Sequence, residues 1–298
     1  ELQVLRRLGV DLTLRGADRT LDEGMPRLPY RQQLMLALGG TSRQSTIVCG
    51  PPQCGKSTLL HRFVTDLLEA EGFATHRNLD RLTHVWSISG QRVIAGMSYL
   101  GDWEQRCIEL LQDASRRRII LVVEDLHAFG RLGRSRDSDR NLAEFFRAPL
   151  ARGELTIVGE CTPEQLSRLE DDAPSFAALF TRIPVQGASE GETLRMLVHE
   201  ARRQEQEAAI AVDPLLHQQI LELTASLFPQ AAFPGKALDL LREVCRRRGD
   251  DNAEGRTPIG GEELLATIAA RTGLPLALLA PRSPLRRADL RRPLESHV

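Results

Sequence analysis

Gly50-Pro-Pro-Gln-Cys-Gly-Lys-Ser57 fits the phosphate-loop pattern GxxxxGK[ST] at every fixed position. Its flanks match too. Ser45-Thr-Ile-Val-Cys49 predicts a short buried strand, and Lys56 to Leu68 puts Leu59, Leu60, Phe63, Leu67 and Leu68 on one helical stripe. In that context Gly50 and Gly55 let the backbone curl so that successive N–H groups face a phosphate, and the helix N-terminus adds positive dipole. The pattern assigns Gly50, Pro51, Pro52, Gln53, Cys54, Gly55, Lys56, Ser57 and Thr58 to nucleotide binding. Lys56 would reach the outer phosphates, and the Ser57 hydroxyl would ligate Mg²⁺. Of 39 Lys and Arg residues only Lys56 and Lys236 are lysines, so neither reads as background surface charge. The expected ligands are ATP and Mg²⁺.

Bulk properties narrow the partners. A net charge of −1 and a pI near 6.8 provide no field for nucleic acid or an anionic membrane. No apolar run approaches the roughly 20 residues of a membrane span, and no signal peptide is visible. Because the chain starts at Glu1 rather than Met, it is expected to be a fragment. The five cysteines lack CxxC spacing and read mainly as small buried hydrophobes, which favours a reducing, cytoplasmic location.

Working outward from the phosphate loop, apolar runs predict strands at Thr46–Cys49, Val85–Ile88, Ile119–Val123, Thr156–Gly159 and Ile183–Val185. Helical stretches lie between them, the alternation of a parallel sheet covered on both faces. From Glu190 the strands stop. Glu190–Gln206, Pro214–Leu227, Lys236–Arg247 and Gly261–Arg271 predict four amphipathic helices, with a boundary near Gly187. Residues 129–140 are charged and rich in Gly and Ser, and read as a mobile loop. The Arg-rich tail Arg282–Arg292 reads as a solvated face.

A second element follows some seventy residues after the loop. Ile119-Ile-Leu-Val-Val-Glu-Asp-Leu-His127 is an apolar strand closed by two acids, the arrangement in which one carboxylate holds the Mg²⁺ shell and the next orients an attacking water. With these motifs in order the chain resembles the Clp family of AAA+ protein-unfolding ATPases, specifically the first ATPase module. Leu8-Gly-Val-Asp-Leu-Thr13 resembles the family's leading linker, and Ala95-Gly-Met-Ser-Tyr-Leu-Gly-Asp-Trp-Glu-Gln-Arg106 its aromatic pore loop. Pro149-Leu-Ala-Arg-Gly-Glu-Leu155, Ser189–Thr193, Phe233-Pro-Gly-Lys-Ala-Leu-Asp-Leu240 and Gly261–Leu279 match further family segments.

The resemblance implies an α/β P-loop AAA+ module, a parallel sheet between helices, followed by an all-α lid. Residues 1–22 would be the linker, 23–187 the nucleotide-binding subdomain, 188–280 the lid, and 281–298, ending Leu294-Glu-Ser-His-Val298, the lead-in to a second ATPase module. It also implies a homo-hexameric ring that threads unfolded or complexed protein, with a protease or adaptor as a possible partner. Tyr99 would grip substrate, and residues 129–140 would form a second pore loop. Met25 and Pro26 fall in the adenine-contacting segment, although Gly24-Met25-Pro26-Arg27 stands where the family carries Val-Ile-Gly-Arg. Lys236 lies in the lid motif and joins the nucleotide-binding set. Between Arg248 and Gly261 there is no room for the long coiled-coil insertion of the disaggregating branch.

Three departures concern hydrolysis. Glu124 stands where the family has Asp and would share the metal with Ser57, while Asp125 replaces the catalytic Glu. The shorter side chain withdraws the carboxylate by about an ångström, a misplacement worth about 100-fold. Ala178-Leu179 replaces the two trans-acting arginines, a loss on the order of 10³–10⁵ in rate, and Arg182 nearby is a poor substitute. The polar sensor becomes Gly159-Glu-Cys-Thr162, with Cys161 and Thr162 competing for the role; Thr162 joins Glu124 and Asp125 in the catalytic set. The expected module binds ATP and hydrolyses it weakly. A fully active unfoldase module and a non-hydrolysing scaffold are the alternatives.

Overall fold

The computed structural model describes residues 2–40, 42–97, 100–116, 119–134, 139–208, 210–250 and 258–279. The chain forms two compact units, Glu1–Gly187 and Ala188–Val298.

The first unit is built on a six-stranded sheet: β1 Val10–Asp11, β2 Thr46–Cys49, β3 His84–Ile88, β4 Ile119–Val123, β5 Thr156–Cys161 and β6 Thr181–Pro184. Their spatial order is β1-β3-β4-β5-β2-β6, with only β1 antiparallel to its neighbour. All five residues of β4 are buried, as expected of a parallel strand covered on both faces. On one face Ile47, Leu121, Val123, Ile157 and Cys161 pack with Cys107 and Leu110 of helix Leu100–Arg116 and with Leu142 and Phe146 of helix Leu142–Ala151. Helix Lys56–Ala70 packs against helices Leu12–Ala17 and Leu28–Leu38. Since β5 lies between β2 and β4, its carboxyl end separates the phosphate loop from the acids that close β4.

The structure departs from the sequence reading in four respects. β1 was not expected, because two residues carry no period. Residues read as a leading linker pack into this unit: helix Gln3–Leu8 lies against helix Leu100–Arg116, and Asp113 Oδ2 accepts the N–H groups of Val4 at 2.9 Å and Leu5 at 3.3 Å. The stretch read as a mobile loop from residue 129 begins inside the core. Phe129 is buried, with ring centroids 6.0 Å from Phe146 and 6.1 Å from Phe176. Its aromatic ring outweighs the polar composition that follows it. The strand ends also move, β5 running on to Cys161 and β6 starting at Thr181.

The second unit contains helices Glu190–Ala208, Leu215–Leu227, Gly235–Asp250, Gly261–Thr272 and Leu276–Leu279 around Leu197, Ile220, Leu240, Leu241, Leu264 and Ile268. A reciprocal cap opens its first helix. The Glu192 N–H donates to Ser189 Oγ at 3.2 Å, and the Ser189 N–H donates to Glu192 Oε2 at 2.8 Å. Burial pushes Glu200 up, but hydrogen bonds from Arg242 and Arg203 outweigh it and hold the carboxyl below its ordinary range. Among the described residues no helix is long and apolar enough to cross a membrane. The expected tail of residues 281–298 lies outside the described residues.

Candidate functional site

The phosphate loop closes β2 and opens helix Lys56–Ala70. Gly50 is there because Val185 passes close by, and a Cβ would lie 2.2 Å from its carbonyl oxygen. Gly55 takes φ +92°, a left-handed value that favours glycine, and Gln53 takes φ +63°. No side chain caps the helix at Gly55, so this end carries the donors and dipole that suit a phosphate. Lys56 Nζ turns into the loop and donates to the carbonyls of Gly50 at 2.9 Å and Pro51 at 3.0 Å. The ammonium thus sits over the concavity that an anion would share.

Met25 and Pro26 belong to a segment that runs past this loop. A Cβ on Gly24 would meet Thr58 Cγ2 at 2.7 Å, so the segment passes against the helix start. Arg27 ties the segment down. Its Nη1 donates to the carbonyls of Cys54 at 3.2 Å and Gln186 at 3.0 Å, and its guanidinium carbon lies 4.8 Å from the Tyr30 ring centroid.

The two acids after β4 diverge. Glu124 is exposed, and its Oε1 accepts from Ser87 Oγ at 2.6 Å. Asp125 turns the other way and closes the N-terminus of the helix Gly90–Ile94. It accepts from the Gly90 N–H at 2.6 Å, Ser89 Oγ at 2.8 Å and the Gln91 N–H at 3.0 Å. The carboxylate expected to orient water is therefore engaged as a helix cap.

Glu160, one residue past the predicted end of its strand, was missed. It is half-buried, and Ser57 Oγ donates to its Oε2 at 2.8 Å. Burial pushes its carboxyl above the ordinary range, opposed by the Ser57 hydrogen bond and Lys56 and reinforced by Glu124. Ser57, Ser87, Glu124 and Glu160 share a cavity of about 380 Å³ with Arg15 and His61. Two carboxylates and a hydroxyl form a hard-oxygen set suited to Mg²⁺, so these residues fit that ion.

The competing sensor residues separate. Cys161 is fully buried in the core, and burial pushes its thiol up to about 12. Thr162 caps helix Pro163–Asp172, where Oγ1 accepts from the Gln165 N–H at 3.2 Å. Ala178 is exposed at the position of the missing arginines, while Leu179 packs against the core and Arg182 pairs with Glu170. Within the second unit, Lys236 is buried, donates from Nζ to the Phe228 carbonyl at 3.1 Å and lies 4.3 Å from the Phe233 ring centroid. Burial pushes its pKa down. Tyr99 lies outside the described residues.

Comparison with known proteins agrees with this architecture. Residues 46–162 match the model of the ATPase family associated with various cellular activities (AAA). The chaperone protein ClpB of Aquifex aeolicus is 22% identical over 249 residues, covering 83% of this chain and 24% of that protein. ClpB of Meiothermus ruber is 25% identical over 256 residues, covering 82% of this chain and 28% of the relative. Among solved structures, the S. cerevisiae Hsp104:casein complex in its extended conformation superposes with TM-score 0.74 at 20% identity, over 94% of this chain and 47% of that one. Residues 46–162 thus carry the AAA-family match, and most of the chain is similar to Clp-type chaperones. The chain spans about a quarter of the length of the curated relatives it matches. The matched stretch contains the Gly50–Ser57 sequence and the two acids that follow β4.

Proposed function

We propose that this module binds Mg²⁺-ATP through Gly50–Ser57 at a boundary between subunits of a hexameric ring, hydrolyses it slowly, and supports ring assembly and the threading of protein substrates. One observation carries the separation of binding from turnover: the phosphate loop is complete, while the Asp125 carboxylate is held by three donors at the start of helix Gly90–Ile94. The exposed Ala178 adds to it, since no guanidinium stands there to offset charge developing in a neighbour's transition state.

In this reading Lys56 and the amides of the loop bind the phosphates, with Met25 and Pro26 flanking the base. Ser57 and Glu124 face the cation, and Lys236 belongs to the nucleotide-binding set through the motif it occupies. When bound, Mg²⁺ supplies charge neutralisation for the β- and γ-phosphates. Thr162 is a sensor candidate that already caps its own helix, and Tyr99 is the substrate-gripping aromatic. The relatives support the chaperone assignment by name, and solved Hsp104 complexes include casein and ADP. A cytoplasmic location, and a protease or adaptor partner, belong to the same proposal.

The test compares binding with turnover. Calorimetry should show ATP and ADP binding that Lys56→Ala abolishes, while steady-state turnover stays far below the order of 1 s⁻¹. Sizing with and without nucleotide should show nucleotide-dependent hexamers. Ordinary turnover would select the fully active reading, and tight binding with no assembly would select a scaffold.

A further inference from the structure

We propose that Glu160 of β5, rather than the acid closing β4, is the carboxylate that orients the Mg²⁺-ligating Ser57 hydroxyl. This inference rests on the nucleotide-binding reading above. The strand order supplies the geometry. β5 lies between the phosphate-loop strand and β4, and Glu160 pairs in register with Val48, two residues before the loop begins. Leu121 pairs with Ile157 and Val123 with Gly159, so continuing that register sets Glu124 beside Glu160 on one face. Both line the cavity that Ser57 enters. They then diverge.

Glu124 reaches towards β3 and accepts a hydrogen bond from the Ser87 hydroxyl at 2.6 Å. Glu160 accepts one from the Ser57 hydroxyl at 2.8 Å. A hydroxyl whose proton is held by a carboxylate presents its lone pairs outward and becomes a better cation ligand, as with other outer-shell partners of metal ligands. Glu160 is half-buried while Glu124 is exposed, so the charge at Glu160 is also less screened by water. Glu160 is thus a positioning residue acting through Ser57. The acid role has moved one strand towards the phosphate loop.

The experiment uses the intact chain and a fluorescent ADP, with the half-saturating Mg²⁺ concentration for nucleotide binding as the readout. Glu160→Gln keeps the shape and an acceptor but removes the charge, and it should raise that concentration by about 10–100-fold. Glu124→Gln should raise it by clearly less. In a Ser57→Ala background the Glu160→Gln effect should vanish, because it has no hydroxyl to act through. An unchanged Mg²⁺ dependence in Glu160→Gln, or an equal or larger shift in Glu124→Gln, overturns the proposal. So does a Glu160→Gln effect that persists without the Ser57 hydroxyl. Thermal melting checks that each variant folds. If Glu160→Gln does not, Glu160→Asp, which withdraws the carboxylate from Ser57 but keeps its charge, should still raise the Mg²⁺ requirement, and no shift there overturns the proposal. A wild-type chain that binds no nucleotide at any Mg²⁺ concentration refutes the nucleotide reading itself, a distinct result.

Discussion

Replacing Asp125 separates its two possible roles. Its carboxylate accepts two backbone N–H groups and one hydroxyl at the start of helix Gly90–Ile94, at distances of 2.6, 3.0 and 2.8 Å. Loss of a helix cap costs about 0.5–2 kcal/mol, and three donors to an ionised acceptor place Asp125→Ala in the upper half of that range, about 1–2 kcal/mol. For a unit of this size, Glu1–Gly187, each kcal/mol lowers Tm by about 2–4 °C, so the expected fall is about 2–8 °C. Asp125→Asn is the sharper variant, because both carboxylate oxygens accept backbone N–H groups and the asparagine NH2 cannot replace either acceptor. It should melt below wild type, by no more than Asp125→Ala does, and keep the low residual turnover. A general base would behave oppositely, with Asp125→Asn leaving Tm unchanged and removing about 10²–10⁴ in rate. Scanning calorimetry and a coupled phosphate-release assay on the same preparations decide it. Loss of turnover by about 100-fold or more in Asp125→Asn at unchanged Tm would refute the cap assignment as the reason for weak hydrolysis.

Three other outcomes are expected. Lys56→Ala should abolish nucleotide binding in calorimetry, since it removes the loop's only ammonium. Restoring the acids (Glu124→Asp with Asp125→Glu) should help turnover little, and adding Ala178→Arg with Leu179→Arg should raise it by more than either repair alone; a four-corner comparison in verified hexamers measures that coupling. Cys107 and Cys161, pushed by burial to about 12, should resist alkylation at pH 8 until the chain unfolds, as peptide mass spectrometry would show. Because both folded values lie above the ordinary 9.0, unfolded thiols ionise first, and stability should fall as pH rises from about 9 towards 12.

What the sequence made legible was local. The phosphate loop could be read because eight consecutive residues carry its backbone demands, and β4 because five apolar residues in a row suit only a covered strand. The helices of the second unit followed from apolar periodicity. β1 is too short to have a period, and it forms because Val10 and Asp11 pair with Ser87 and Trp86 far along the chain. Glu160 was hidden for a similar reason. With its strand ended at Gly159 it had no face, and its neighbour Glu124 is supplied by a different strand. Asp125 was legible as an acid, but its donors lie more than thirty residues upstream.

The same distinction accounts for the proposed separation of binding from turnover in this module. Phosphate binding draws on one contiguous turn, its helix dipole and Lys56, so substitutions elsewhere leave it whole. Hydrolysis needs groups delivered by several strands, and from another subunit, to within an ångström of one another. Here Ser89 and the start of helix Gly90–Ile94 claim Asp125, Ser87 claims Glu124, and Ser57 turns to Glu160. Each contact satisfies a polar group locally. Together they commit the acids to the protein's own donors rather than to an attacking water, and a misplaced base already costs on the order of 100-fold before the absent arginines are counted. A nucleotide held this way would act chiefly as a ligand of the fold.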